Sequence, residues 1–156
     1  MDMSKPSEKM TPAEFREYMH RKHTSDKPDR KNQQSESRLQ TACVKWFRAE
    51  YPKYKRLLFA IPNGVRLHGT EKERMITWNR LAKEGAVAGA ADLFLAVPAH
   101  GTPGLFIEMK TPQGRQSEKQ QLFEKDAVKA GYGYAIPRTE KEFRQVVRMY
   151  LETGEY

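Results

Sequence analysis

The sequence predicts an α/β protein, a mixed central β-sheet flanked by helices, and three observations carry that prediction. The runs Asp92-Leu-Phe-Leu-Ala-Val97 and Gly104-Leu-Phe-Ile-Glu-Met-Lys110 have the length of strands and are nearly continuously apolar, as strands covered on both faces are. Around them lie segments whose apolar residues recur every three or four positions, the spacing of amphipathic helices. The two kinds of segment alternate along 156 residues, enough for one core of ordinary size, and no internal repeat breaks the pattern.

The elements follow from local signals. Thr11-Pro12-Ala13-Glu14 combines a capping threonine, a proline at the first helical position and a capping-box glutamate, and starts a short helix to about Lys22. His23 to Gln34 is nearly devoid of apolar residues and is expected to be a flexible linker, so that residues 1–34 form a basic arm and the domain proper occupies 35–156. From Ser35 to Tyr51 the stripe Leu39, Ala42, Cys43, Trp46 and Phe47 predicts a helix that Pro52 ends. Arg56 to Ile61 is strand-like, Pro62-Asn63-Gly64 is a turn, and Val65 to His68 is a basic connection. Thr70 and Glu73 form a capping box before Met75, Ile76, Trp78, Leu81 and Ala82, with Gly85 placed to stop that helix. Gly85 to Ala91 is rich in small residues, whose glycines permit a close backbone approach. After the two central strands, a helix runs from Ser117 to Ala130 and stops at Gly131. Gly133 to Ile136 is strand-like, and Thr139 with Glu142 caps a last helix bearing Phe143, Val146, Val147, Tyr150 and Leu151.

Composition narrows the partners. A net charge of +8 and a pI near 9.6 favour a polyanion, nucleic acid first. The apolar stretches are too short to span a membrane, and the first residues lack the apolar segment of a secretory signal, so a soluble, cytoplasmic protein with no membrane partner is expected. Cys43, the only cysteine, excludes an internal disulfide and a multi-cysteine zinc site, and is expected to fill the core. His20 and His23 lack companion ligands for zinc, and His68 and His100 read as loop residues, solvated or facing phosphate.

The chemistry concentrates on the two central strands. Side chains alternate along a strand, so Phe106, Glu108 and Lys110 share one face while Leu105, Ile107 and Met109 share the other. An antiparallel neighbour would bring Asp92 beside Glu108 and Lys110, setting two carboxylates and an ammonium at the edge of an apolar sheet. Charges there are costly unless paired or ligated. Two carboxylates suit Mg2+ or Mn2+ with phosphate and water completing the shell. Lys110 is then placed to orient or deprotonate a water, or to neutralise charge on the phosphate. Glu36 borders the buried stripe of the first long helix and can reach inward, while Ser117 and Gln120 make a capping box of their own. Arg66, Lys72, Arg74, Arg115 and Lys119, with Lys31 and Arg80, are candidates for tracking a DNA backbone, against a background of solvated faces. Trp46 and Trp78 lie on apolar stripes and are expected in the core.

These residues carry a resemblance to the PD-(D/E)xK nucleases, and among them to the virus-type replication-repair nuclease (VRR-NUC) domain. The matching segments are Glu36 to Gln40, Gly89-Ala90-Ala91-Asp92-Leu93, Glu108-Met109-Lys110 and Ser117 to Gln120, and the resemblance spans about Glu36 to Leu151. Ala91 departs from the superfamily's eponymous proline, which many members lack. The resemblance implies the restriction-endonuclease-like fold, with Asp92, Glu108 and the Met109 carbonyl as metal ligands, Lys110 catalytic, Glu36 in the site and Gln120 beside the metal and scissile phosphate. Small stand-alone proteins of this kind look like bacterial or phage resolvases. The implied activity is therefore a Mg2+- or Mn2+-dependent endonuclease acting on DNA four-way (Holliday) junctions, as a homodimer because paired cuts need two sites. A nuclease for flaps or linear duplex and a non-catalytic nucleic-acid-binding protein are the alternatives.

Overall fold

A computed structural model describes residues 30–62 and 69–152, the side chains of 30–34 excepted. The expected helix at 11–22, the turn at Asn63-Gly64 and the basic connection at 65–68 lie outside the described residues. The elements are α1 (Arg30–Glu50), a 3₁₀ turn (Pro52–Tyr54), β1 (Leu58–Ala60), α2 (Glu71–Lys83), β2 (Leu93–Leu95), β3 (Leu105–Ile107), α3 (Glu118–Lys129), β4 (Gly133–Ala135) and α4 (Glu140–Glu152). The order matches the sequence reading. One correction is at the start: α1 begins at Arg30, so Arg30 to Gln34, read as linker, are helical.

The sheet has the order β1-β2-β3-β4, with β1 and β3 antiparallel to β2 and β4 parallel to β3. Alternation sorts its residues into two layers. Leu58, Leu93, Leu95, Leu105, Ile107, Met109 and Ala135 pack with Cys43 and Phe47 of α1 and with Phe143, Val147, Tyr150 and Leu151 of α4. Each fully buried leucine or isoleucine there contributes about 1.5–3 kcal/mol relative to exposure. Phe106 and Tyr134 occupy the opposite face with Ala91, under Phe123 and Ala127 of α3. Cys43 is fully buried as expected, and burial pushes its thiol pKa up to about 12.

The β2–β3 connection turns through His100 and Gly101, both with positive φ, between the bridged residues Ala99 and Thr102. That geometry suits the twist of a two-residue hairpin turn. His100 is not the solvated loop residue expected. It is buried, with Nε2 3.0 Å from the Met149 carbonyl, while the Tyr150 hydroxyl donates to the Val97 carbonyl at 2.7 Å. The hairpin tip is thereby fastened to α4.

Two further expectations change. The Thr70–Glu73 capping box forms and Gly85 ends α2 at φ 104°, yet α2 buries no residue: Met75 and Ile76 are more than half exposed and Trp78 is only half-buried. Its apolar stripe faces outward, whereas Trp46 packs edge-on against Phe143 as expected. At α4, Thr139 accepts from the Glu142 amide at 3.1 Å, but the Glu142 carboxylate accepts the Arg138 amide at 2.8 Å and no full capping box forms. Among the described residues, no helix is long and apolar enough to cross a membrane.

Candidate active site

Strand register builds the site. Leu93 pairs with Ile107, which sets Asp92 opposite Glu108 just past the ends of β2 and β3. The chain beyond β3 stays parallel to the segment after β4: the Glu108 amide donates to Ala135 at 2.8 Å and the Lys110 amide to Pro137 at 3.2 Å. This extension holds Glu108 and Lys110 on the α3 side while Met109 enters the main core, as alternation requires. Asp92 Oδ2 accepts the Met109 amide at 2.7 Å, so its carboxylate is fixed to the backbone of the facing strand.

Glu108 is the centre. Its side chain is fully buried, and Oε1 accepts from Lys110 Nζ at 2.9 Å and from the Gln120 side-chain amide. Oε2 is buried without a hydrogen-bond partner. Lys110 Nζ also lies 3.9 Å from Glu36 Oε1, so the helix glutamate does reach inward from α1. Gln120 performs two tasks, since its Oε1 accepts the Ser117 amide at 2.8 Å in the capping box while its amide nitrogen serves Glu108.

Burial dominates the electrostatics. It raises the Glu108 pKa to about 8, reinforced by Asp92 and opposed by Lys110. Asp92 is raised by burial against the Met109 amide and Lys110, and Glu36 is raised by burial against Lys110 and the Thr111 backbone. Three carboxyl groups around one ammonium form a site short of positive charge. Among the described residues no three His, Cys, Asp or Glu side chains close into a ready-made metal cage. The donor set still fits a hard cation that retains water: Asp92 and Glu108 face each other, and Glu108 Oε2 is an unclaimed, fully buried oxygen.

Two supports of the site were not read from the sequence. Arg138, just after β4, donates through Nη1 to the carbonyls of Thr111 at 2.9 Å, Pro112 at 3.4 Å and Gly114, clamping the loop that leaves Lys110. No local sequence signal marks it, because the clamp depends on β4 lying parallel to the β3 extension. Tyr134 is the other, buried under α3 and under the electrostatic influence of Glu108.

The close approach expected of the small-residue stretch occurs at Gly89. A Cβ there would lie 2.4–2.7 Å from the backbone of Lys119 and Gln120, and Gly89 has φ +86°. Gly89→Ala is therefore strained twice over, and is expected to destabilise by roughly 3 kcal/mol, lowering the thermal midpoint by roughly 10 °C. A calorimetric scan measures it, and an unchanged midpoint would show that the contact yields.

Of the basic candidates, Lys72 and Arg74 are exposed on α2, Lys119 is exposed beside Gln120, and Arg115 is half-buried near Arg138. Arg80 pairs with Glu84 at 3.5 Å as a surface i,i+4 pair. Arg66 lies outside the described residues.

The fold is a mixed four-stranded sheet with helices on both faces, of the restriction-endonuclease-like kind. A solved structure titled "VRR_NUC domain protein" is similar to it, with a TM-score of 0.63, 18% identity, and coverage of 77% of this chain and 90% of that one. No family model and no curated protein matches the sequence.

Proposed function

We propose that this chain is a divalent-metal-dependent DNA endonuclease that hydrolyses phosphodiester bonds in branched DNA, with the four-way junction as preferred substrate and a homodimer as the working unit. The observation that carries the reading is the convergence of Asp92, Glu108, Lys110, Glu36 and Gln120 at one end of the sheet, in a fold similar to that of a VRR_NUC domain protein. The net charge of +8 suits a polyanionic substrate.

Asp92, Glu108 Oε2 and the Met109 carbonyl are the groups that would hold Mg2+ or Mn2+. Such an ion supplies charge for the phosphate and lowers the pKa of water. Gln120 and Lys110 hold Glu108 in place through Oε1, leaving Oε2 for the ion. Lys110 provides an ammonium for the phosphate oxygen on which charge develops. The first turn of α3, with Lys119 exposed beside Gln120, provides a positive approach for the backbone of DNA. Cutting both strands of a junction symmetrically requires a second copy of this single site.

Labelled four-way junction, flap and linear duplex, each incubated with protein and Mg2+ or Mn2+ beside an Asp92→Asn control, test the reading. Expected are metal-dependent cuts, fastest on the junction, and a loss of roughly a thousandfold in the control. Cleavage without metal, or undiminished in the control, would overturn the mechanism. Equal cutting of all three substrates would remove the junction preference, and binding without cutting would favour an assembly role.

A further inference from the structure

We infer that Arg138 is a positioning residue for Glu36: by gripping the loop from Thr111 to Gly114, it seats the glutamate of α1 beside Lys110. The inference rests on the nuclease reading above, in which Glu36 belongs to the site. Core packing alone leaves Glu36 without a fixed place. α1 is anchored by Cys43 and Phe47, with Leu39 packed beside them, and Glu36 stands about a turn ahead of all three. The loop that leaves Lys110 supplies what is missing. Glu36 takes a hydrogen bond from the Thr111 backbone, and a Cβ at Gly114 would lie 3.0 Å from Glu36 Oε1, so both ends of the loop touch the carboxylate. That same oxygen lies 3.9 Å from Lys110 Nζ.

The shape of the loop depends on Arg138. Within the loop, the Gly114 amide donates to the Thr111 carbonyl at 3.0 Å. The carbonyls of Thr111, Pro112 and Gly114 then converge on one donor, Arg138 Nη1, the first at 2.9 Å and the second at 3.4 Å. Hydrogen bonds from a guanidinium are charge-assisted and directional, so the carbonyls are held in one arrangement. Arg138 is itself tethered, because its backbone amide donates to the Glu142 carboxylate of α4 at 2.8 Å. Every one of the contacts from Nη1 is to backbone, which fixes the course of the chain whatever side chains the loop carries. The route therefore runs from the end of β4, through backbone, to a carboxylate on a helix about a hundred residues earlier in the chain.

A double-mutant cycle tests the assignment, with kcat and KM for junction cleavage in Mg2+ measured on wild type, Arg138→Gln, Glu36→Gln and the double variant. Arg138→Gln is expected to lower kcat roughly tenfold or more, with KM changed by less than about twofold. In the Glu36→Gln background the same substitution should cost less than about twofold, because its effect passes through the group already lost. A purely structural role predicts equal losses in both backgrounds. Gly114→Ala perturbs the same route without touching Arg138, since the added methyl crowds Glu36 Oε1, and it should repeat the pattern. If Arg138→Gln fails to fold, the cycle of Gly114→Ala with Glu36→Gln decides. Additive losses, or undiminished kcat in Arg138→Gln, overturn the role of Arg138 and leave the nuclease reading standing. Wild-type protein that cuts no DNA overturns both.

Discussion

Replacing Lys110 by methionine is expected to reduce cleavage by roughly a thousandfold while tightening the hold on divalent cations. Lys110 Nζ is the positive charge seated among Glu108, Glu36 and Asp92, and it shares Glu108 Oε1 with Gln120. Methionine keeps the apolar stem in its buried position and removes the ammonium. The remaining carboxylates then attract a cation without a competitor, so Mn2+ affinity measured by calorimetry should rise. On the proposed nuclease reading, a DNA phosphate would meanwhile lose the ammonium that stabilises its transition state. A variant that loses binding and cleavage together would show that Lys110 serves the fold of the site rather than its chemistry.

The second large effect is on stability and has a definite sign. Glu108 has its pKa raised to about 8, and Asp92 and Glu36 are raised as well, so the folded, metal-free protein holds protons that the unfolded chain releases. For Glu108 the resulting stability is fully present below its ordinary value of 4.5 and is lost as pH rises through about 8. The thermal midpoint in chelator should fall across that window, at a cost of up to about 1.4 kcal/mol per pH unit. Glu108→Gln removes most of the slope. A midpoint independent of pH between 5 and 8 would mean that Lys110 keeps Glu108 ionised throughout.

Much of this architecture is legible in the sequence because period-2 alternation survives burial. Leu105, Ile107 and Met109 do enter one layer while Glu108 and Lys110 meet on the other, and Asp92 does face Glu108. Local capping chemistry is equally legible at Thr70 and at Ser117 with Gln120. Where reading fails, the missing information is a partner. The Met75 and Ile76 stripe of α2 shows that a helix is amphipathic, but periodicity does not say what lies opposite, and here both residues are exposed. His100 looks like a loop histidine until the hairpin tip is laid against α4. Arg138 and Tyr134 acquire their positions from the parallel pairing of β4 with β3, a contact between segments far apart in the chain. The α1 start at Arg30 was hidden because its first turns carry few apolar residues to reveal a period.

That parallel pairing also sets a schedule. Asp92, Glu108 and Lys110 are all synthesised before residue 135, but the strand bearing two of them is pinned by carbonyls of Ala135 and Pro137, and the loop beyond it by Arg138. A growing chain therefore carries these three groups before it has the residues that align them. A chain lacking residues 135–138 would hold the acidic cluster and its lysine without the strand that orders them.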